Sequence, residues 1–453
     1  MKEKLIAWIL SLVVAAGGTG CAVDPGQGTQ GSMDVFDSVY AMAVPEFPEM
    51  AAYPEMGDGS DYDPAAWEEW SAQKQAQYQA AETYEGKLNH YLQTAVPALL
   101  TPQKGSVNAV YSPVNVWFAL AMAAEGAAGD TQKELLDLLG VSTVEELREI
   151  AGNLWTANYT DDGANTCRLG ASLWMNQDID FKEKTLQTLA KDYFAASFRG
   201  EMTDPAFSRA FKDWLNEMTG GLLEGNIEQM DDFNPDNVMA LATTVYFSAK
   251  WDNEFSEDRT FAETFHGTKK DADVDFLHSG REGTYYWEDD FGAVQLPFTE
   301  AGSMWIILPD EGTAPEDLLG SGEVLSFLSK DYGEKNCKSL IIDLALPKFD
   351  LTASQDLKET LTSLGVTRMF TGAADFSNLT DEDGVYVSSA QHDARVKINE
   401  EGCEAAAFTV MMLSKSSMPP DERMEFRVDR PFLFVVTGID GLPLFMGLVN
   451  QVE

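Results

Sequence analysis

The fold is decided by residues 106–140, which read SVNAVYSPVNVWFALAMAAEGAAGDTQKELLDLLG. Ser112 is a favourable helix N-cap, and Pro113 suits the first helical turn because it has no N–H to satisfy there. The apolar run that follows predicts a buried helix, and Gly126 permits a stop. This stretch therefore predicts one helix at the centre of the fold and a second helix directly after it.

Helical patterns continue on both sides of this stretch. Asp130 or Thr131 is predicted to cap the next helix, which closes at Gly140. Ser142 with Glu145 has the spacing of a capping box and predicts a further helix. Ahead of the stretch, apolar residues recur at helical spacing and predict the first helix: Leu88, Tyr91, Leu92, Ala95 and Leu99.

The chain then changes to strands. Four long segments are rich in β-branched and aromatic residues and predict a long-stranded central sheet: CRLGASLWM (167–175), VMALATTVYFSAKW (238–251), LIIDLALPKF (340–349) and VYVSSAQHDARVKI (385–398). Three short apolar strands end the chain: MEFRV (424–428), PFLFVVT (431–437) and LPLFMGLV (442–449), the last two joined by an Asp440-Gly441 turn. Helices followed by mixed strands predict one large α+β domain over residues 80–453.

Composition excludes several classes of protein. The net charge of −43 over 453 residues repels nucleic acid and anionic membranes, and solubility alone is a sufficient reason for it. Beyond Cys21, three cysteines allow at most one disulfide: Cys167, Cys337 and Cys403. The four histidines form no HExxH motif, so we expect no metal and no cofactor.

The N-terminus has the pattern of an export signal over residues 1–20. Lys2 and Lys4 precede an apolar run over residues 5–16 that is too short to span a bilayer. The run ends in Gly18-Thr19-Gly20-Cys21, which resembles the bacterial lipobox and implies a lipid anchor on Cys21, although Gly18 stands where a large aliphatic residue is usual. Plain secretion and a retained leader are the alternatives.

Residues 21–79 are acidic, contain many proline and glycine residues, and show no sustained apolar period. They predict a low-complexity tether. Four aromatic residues in this segment leave a second interpretation open, in which the segment docks on the body or on a partner: Phe47, Tyr53, Trp67 and Trp70.

Residues 106–140 resemble the helix B region of the serpin family, with its Asn-x-x-x-Ser-Pro core and its Gly-Ala-x-Gly-x-Thr turn. The segment VMALATTVYFSAKWDNEF resembles the family's third main-sheet strand and LPKFDL its sixth; VDFLHSG, PFLFVV and LPLFMG also fit. The resemblance covers about residue 80 to the C-terminus. It implies the serpin fold, with three β-sheets, about nine helices and an exposed reactive-centre loop.

A ten-residue segment is similar to the hinge of inhibitory serpins: Glu400, Glu401, Gly402, Cys403, Glu404, Ala405, Ala406, Ala407, Phe408 and Thr409. The family's mechanism is that a protease cuts the loop, forms an acyl-enzyme, and is trapped as the loop inserts into the main sheet. In a strand, Cys403, Ala405, Ala407 and Thr409 would share one face, and all four are small. This pattern favours an inserting loop over an ordinary alanine-rich helical turn.

The spacing of the family puts the reactive bond at Ser416-Ser417. Serine before the bond suits elastase-like or subtilisin-like proteases. A shift by one residue would place Lys415 there and favour a trypsin-like target, whereas Met412 or Leu413 would suit a chymotrypsin-like one.

The resemblance also implies a polar cluster that must part for loop insertion, and a tryptophan where the loop enters. The matching residues are Asn108, Ser112, Asn115, Thr243 and His392 for the cluster, and Trp251 for the entry point. For His392, an ordinary hydrogen-bonded core histidine is the simpler interpretation, and the two overlap.

The sequence thus predicts an extracellular serine protease inhibitor, monomeric and not an enzyme, whose partner is a serine protease held in a covalent acyl complex. We expect no nucleic-acid partner, and membrane contact only through the lipid anchor. A non-inhibitory serpin acting as a binding or carrier protein is the first alternative. A hydrolase is the second, but no GxSxG motif is present. An adhesive surface protein that uses the acidic segment is the third.

Overall fold

The computed structural model describes residues 4–11, 13–14, 36, 38–54, 63–101, 107–329, 336–403 and 422–453. The elements of the first half are β1 (Lys4–Ser11), β2 (Val13–Val14), β3 (Ala41–Ala43), α1 (Pro64–Tyr84), α2 (Asn89–Leu99), β4 (Ala109–Tyr111), α3 (Pro113–Gly126), α4 (Gly129–Leu139), α5 (Val144–Asn158), β5 (Thr160–Asp161), β6 (Thr166–Asn176), α6 (Glu183–Asp192), β7 (Ala195–Gly200), α7 (Pro205–Met218) and α8 (Glu224–Glu228).

The elements of the second half are β8 (Asn237–Lys250), β9 (Thr260–His266), β10 (Asp271–Trp287), β11 (Phe291–Pro297), β12 (Ser303–Pro309), α9 (Pro315–Ser321), α10 (Glu323–Leu328), β13 (Cys337–Pro347), β14 (Asp350–Asp356), α11 (Lys358–Ser363), β15 (Val385–Lys397), β16 (Gly402–Cys403), β17 (Arg423–Arg427), β18 (Phe432–Thr437) and β19 (Pro443–Val449). Short 3₁₀ turns lie at Glu257–Arg259 and Arg368–Phe370.

The strands form two large sheets. The main sheet has the order β14-β15-β1-β8-β6-β7-β3, and β2 and β16 also pair with β8, while β5 pairs with β6. The second sheet has the order β17-β13-β10-β11-β12-β18-β19-β4, with β9 beside β10. Strand β10 pairs with β9 over residues 271–277, with β13 over residues 276–286 and with β11 only over residues 285–287, so β10 joins two parts of the second sheet. The predicted α+β architecture with three sheets is confirmed when the two parts of the second sheet are counted separately, and the described residues contain eleven α-helices.

Helix α3 lies at the centre, as residues 106–140 predict. Every residue of α3 is buried. The Ser112 hydroxyl accepts a hydrogen bond from the Asn115 amide and caps the helix. The helix contacts β8 of the main sheet and β19 of the second sheet, so it forms the middle layer between them.

The predicted cap of helix α4 is wrong. The helix begins at Gly129, one residue before the earliest predicted cap, and Ala128 occupies the N-cap position without a side-chain hydrogen bond. The hydroxyl of Thr131 instead accepts from the amide of Asp375, because it points at a neighbouring loop rather than at its own helix end. Asp130 lies in the first turn, where a carboxylate favours the helix dipole.

The capping box of helix α5 is one residue further along than predicted. Thr143, not Ser142, accepts from the amide of Glu146. The Glu146 carboxylate accepts from the amide of Ser142, one residue before the cap, so the helix start is held by Thr143 and Glu146 rather than by Ser142 and Glu145.

The predicted strand over residues 340–349 does not belong to the central sheet. It forms β13, which pairs with β10 and β17 in the second sheet. The chain turns after Pro347, where the amide of Lys348 donates to the Asp275 carbonyl. The edge strand of the main sheet, β14, begins only at Asp350 and pairs with β15.

The prediction of a tether over residues 21–79 is wrong for residues 38–54 and 63–79, which pack on the body. Strand β3 pairs with β7 at the edge of the main sheet, and α1 contacts α5. The buried side of α1 is Trp70, Lys74, Gln77, Ala80 and Tyr84. Two of these five are polar, so no apolar period is visible in the sequence. The alternative of docked aromatics holds here, since Phe47 lies against Trp155 and Tyr53 against Trp70.

The segment predicted as an export signal also has a place in this structure. Strand β1 lies between β8 and β15 and runs parallel to both. The export signal over residues 1–20 stays a prediction, and Cys21 lies outside the described residues. Among the helices that are described, none is long and apolar enough to cross a membrane.

Candidate functional site

The predicted hinge begins beside the end of β8. Strand β16 pairs antiparallel with β8, with Gly402 opposite Lys250 and Cys403 opposite Ala249. The chain reaches this point directly from β15, whose last residue is Lys397. The start of the hinge therefore lies at the top of the space between β8 and β15.

A side chain that sequence reasoning missed shapes the turn before the hinge. The Asn399 carboxamide oxygen accepts from the amides of Glu401 and Gly402, at 3.0 and 3.1 Å. The Asn399 amide donates to the Gly402 carbonyl at 3.2 Å. Asparagine two to three residues before a glycine is the signal of such a turn and could have identified it.

Gly402 can only be glycine in this arrangement. Its φ of +152° is unusual for residues with a side chain. A Cβ atom would lie 2.4 Å from the Ala249 carbonyl oxygen and 2.7 Å from Lys250 Cα, which are both backbone atoms of β8. The hinge can approach β8 this closely only because residue 402 has no side chain.

Glu400 anchors the hinge to the turn between β13 and β14. Both of its carboxylate oxygens accept from Lys348 Nζ at 3.0 Å. Burial alone would raise the pKa of Glu400, but the hydrogen bonds from Lys348 lower it below its ordinary value. The Glu400 carbonyl also accepts from the Phe255 amide at 2.8 Å.

Trp251 lies where the predicted loop would enter the sheet. It is buried, its amide donates to the Glu401 carbonyl at 3.1 Å, and its Nε1 donates to the Asn399 carbonyl at 3.0 Å. Its ring stacks on Phe298, with centroids 4.8 Å apart. The indole therefore links the hinge to the turn that carries Phe298.

Four of the five predicted cluster residues meet between α3 and the main sheet. The Ser112 amide donates to His392 Nε2 at 3.2 Å, and the Thr243 hydroxyl donates to the Asn115 carbonyl at 3.4 Å. Burial lowers the pKa of His392 to about 3, so the ring is neutral at ordinary pH. Its Nδ1 atom is buried and has no hydrogen-bond partner within the described chain.

Asn108, the fifth predicted residue, lies at the start of β4 and serves the C-terminal segment. Its Nδ2 donates to the Gln451 carbonyl at 2.8 Å, and its oxygen accepts from the amides of Asn450 and Gln451. Its position differs from the prediction because the residues between it and Ser112 form a strand of the second sheet.

Two tyrosines that sequence reasoning missed complete the cluster. The Tyr111 ring lies edge-on to His392, with centroids 5.4 Å apart. Its hydroxyl is hydrogen-bonded to that of Tyr91, which also donates to the Pro113 carbonyl. Burial raises the pKa of both hydroxyls, so they remain protonated. A tyrosine directly before the Ser-Pro pair is the only sequence signal.

The space between β8 and β15 holds β1 in this structure. In register, Leu10 lies opposite Thr243 on one side and His392 on the other. Strand β2 continues along β8, with Val14 opposite Phe247. A loop strand that extended from β16 along β8 would need the same positions, so the two cannot occupy the sheet together.

The rest of the predicted loop lies outside the described residues. This applies to the hinge residues Glu404 to Thr409, to the bond at Ser416-Ser417, and to the alternatives Met412, Leu413 and Lys415.

Comparison with known proteins places these features in one family. The protein-family model described as "Serpin (serine protease inhibitor)" matches residues 96–452. The chain is 31% identical to Iripin-2 of Ixodes ricinus over 371 residues, which are 77% of this chain and 89% of that protein.

Two solved structures share the fold. The native-state structure of the thermophilic serpin tengpin is matched with a TM-score of 0.70 and 23% identity, over 82% of this chain and 95% of tengpin. Thyroxine-binding globulin in complex with thyroxine is matched with a TM-score of 0.67 and 22% identity, over 83% of this chain and 100% of that chain.

Proposed function

Because the chain belongs to the serpin family, we propose that it is a serine protease inhibitor that traps its target by loop cleavage and insertion. The observation that carries the proposal is the antiparallel pairing of Gly402 and Cys403 with the end of β8. This pairing is the first step of the ladder that an inserted loop would extend. A loop held away from the sheet would give no such start.

The register of this pairing supports the assignment of faces made from the sequence. If the ladder continues, Ala405 comes to lie opposite Phe247, Ala407 opposite Val245 and Thr409 opposite Thr243. Residues directly opposite in a sheet point to the same face. These three β8 residues are buried, and Thr243 bonds to α3, so the small hinge residues would pass over α3.

The proposed reactive bond is Ser416-Ser417, and the proposed targets are elastase-like or subtilisin-like proteases with small primary pockets. The test is incubation with a panel of serine proteases followed by denaturing gel electrophoresis. A covalent band that survives denaturation supports trapping. Mass analysis should then find a C-terminal peptide that begins at Ser417, and a peptide that begins at Ser416 would identify Lys415 as the recognition residue.

We also propose that the chain is exported and carries a lipid on Cys21. Support comes from the short apolar segment and the lipobox-like sequence before this cysteine. The test is recovery in the membrane fraction, which Cys21→Ser should abolish. Recovery of the parent protein as a soluble chain cut at another position would contradict the anchor.

A carrier function is the second candidate. One observation favours it: a cavity of 540 Å³ lies between α1, α2, α10 and the β18–β19 turn, lined in part by Tyr78, Leu88, Leu92, Leu325 and Pro443. This volume is within the range of small-molecule sites. Saturable binding of an apolar fluorescent probe, with no covalent band from any protease, would support this function over inhibition.

A further inference from the structure

Helix α1 lies before the residues that match the serpin family model. This helix buries a charged side chain. Lys74 is 6% exposed, and the carboxylate of Asp162 beside it is fully buried. Burying an ammonium is costly unless other groups compensate it. The contacts of Lys74 therefore show what this helix holds in place.

The ammonium of Lys74 holds a backbone carbonyl of another part of the chain. Its Nζ donates to the Glu300 carbonyl at 3.2 Å and lies 4.0 Å from the Asp162 carboxylate. It also lies 5.6 Å from the centre of the Trp70 ring. Burial lowers the pKa of Lys74, and the nearby Asp162 opposes this shift.

The carbonyl that Lys74 holds belongs to a strained turn over residues 298–302. Glu300 has a φ of +53°, in the left-handed region that residues with a Cβ rarely adopt. The turn is closed by the Phe298 amide, which donates to the Gly302 carbonyl at 2.9 Å. A donor on the Glu300 carbonyl stabilises the turn in this conformation.

The same turn touches the entry point of the loop. The Thr299 amide donates to the Lys250 carbonyl at 2.9 Å, and Phe298 stacks on Trp251. Lys250 is the residue opposite Gly402, and Trp251 donates to the Glu401 carbonyl. Every step from Lys74 to the hinge is thus a direct contact.

A second set of bonds fixes the turn from the other side. Trp70 Nε1 donates to the Asp162 carboxylate at 3.1 Å, and the same carboxylate accepts from the Asn165 amide at 2.8 Å. The Asn165 side chain donates to the Thr299 carbonyl at 2.8 Å. Helix α1 therefore reaches residues 299 and 300 by two routes.

We propose that Lys74 is a positioning residue for the hinge. It acts through the turn 298–302 and through Trp251, and it makes helix α1 a part of the inhibitory apparatus rather than a tether. The role of the hinge rests on the proposed function, but the position of the hinge can be measured without any protease.

The test is amide hydrogen exchange of the full-length protein and of Lys74→Met, which keeps an apolar stem of similar length and removes the donor. Exchange of the Trp251 amide, which is bonded to Glu401, should rise roughly fivefold. Exchange in β17, the edge strand that pairs with β13 three strands away from β11, should not change. The control is Lys133→Met, which removes an exposed lysine of α4.

A second variant separates positioning from simple docking of the helix. Glu300→Gly removes the strain of the left-handed residue, so the turn keeps its shape without Lys74. In the Glu300→Gly background, Lys74→Met should raise Trp251 exchange less than twofold. If Lys74→Met raises exchange equally in Trp251 and in β17, or equally in both backgrounds, the positioning role is wrong. If the full-length protein shows the predicted exchange but the chain without residues 1–20 traps no protease, the proposed function is contradicted and this inference stays intact.

Discussion

His392 Nε2 accepts a hydrogen bond from the backbone amide of Ser112, the residue that caps the central helix. This bond joins the middle of β15 to the start of α3. The acceptor must be a neutral ring, since a protonated imidazole has no lone pair to offer. The contact between the main sheet and its supporting helix is therefore sensitive to protonation.

The first prediction concerns the pH dependence of stability. The pKa of His392 is about 3 when folded and about 6.5 when unfolded. The pKa is lower in the folded protein than in the unfolded one. The neutral ring therefore makes its full contribution to the free energy of unfolding above pH 6.5, and this contribution is lost as the pH falls toward 3. The free energy of unfolding should fall by about 2 to 3 kcal/mol between pH 7.5 and pH 4.5 from this residue alone.

Chemical denaturation of the parent and of His392→Gln at both pH values isolates this contribution, because all carboxylates are common to the two proteins. The difference in the free energy of unfolding between the parent and His392→Gln should shrink as the pH falls. A difference that does not depend on pH would mean that the ring titrates normally in the folded protein.

The second prediction concerns Gly402. Gly402→Val would place a branched side chain where a Cβ already lies 2.4 Å from the Ala249 carbonyl. We expect the hinge to leave β8 and amide exchange of Cys403 to rise at least tenfold. The matched control is Gly372→Val, at a position with no atom within 4 Å of the added Cβ. Unchanged exchange in Gly402→Val would show that the hinge does not pair with β8 in solution.

The sequence predicts those helices and strands whose caps and apolar spacing match the side chains that the structure buries. Ser112-Pro113 predicts the start of α3 because cap and apolar run coincide there. Helix α1 escapes detection because Lys74 and Gln77 occupy positions on its buried face. Their partners are a carbonyl at residue 300 and a carbonyl at residue 159, which are distant in sequence, so no local pattern reveals them.

The candidate site shows the same limit. The small hinge residues are visible in the sequence as alternating positions, whereas the Asn399 turn and the Lys348–Glu400 pair depend on how β14, β15 and β8 meet. The placement of β1 between β8 and β15 also depends on pairing across the chain, which an apolar run at the N-terminus does not specify.

The third prediction concerns the docking of α1. Trp70 is 6% exposed and donates to the buried Asp162 carboxylate. Trp70→Ala should lower the free energy of unfolding by about 3 to 5 kcal/mol, because it removes a large buried side chain and a hydrogen bond to a charge. Trp67 lies one turn earlier and is only partly buried, so Trp67→Ala should lower the free energy of unfolding much less. Equal, small effects of both changes in denaturant unfolding would mean that the helix is not docked.

The fourth prediction concerns the N-terminal strand. Residues 4–14 and an inserting loop need the same positions on β8. A chain that lacks residues 1–20 should therefore form the covalent protease complex, whereas a chain that keeps them should be cleaved without trapping. The measurement is the ratio of complex to cleaved inhibitor on a denaturing gel. Equal ratios for the two chains would show that residues 4–14 do not hold the sheet when a protease attacks.

The last prediction concerns Ala405, which would lie opposite the buried Phe247 if the ladder of β16 continues along β8. Ala405→Arg forces an unpaired charge into the layer between sheet and helix, at a cost of several kcal/mol, so insertion slows while the reactive bond stays accessible. The protease then hydrolyses its acyl-enzyme and leaves active, and the number of inhibitor molecules consumed per protease inactivated should rise at least about tenfold. Ala406→Arg is the matched control, because its neighbour in the ladder is the partly buried Tyr246 and arginine there lies on the face of the sheet away from α3. If both variants trap protease as efficiently as the parent chain, the loop does not insert along β8 in this register.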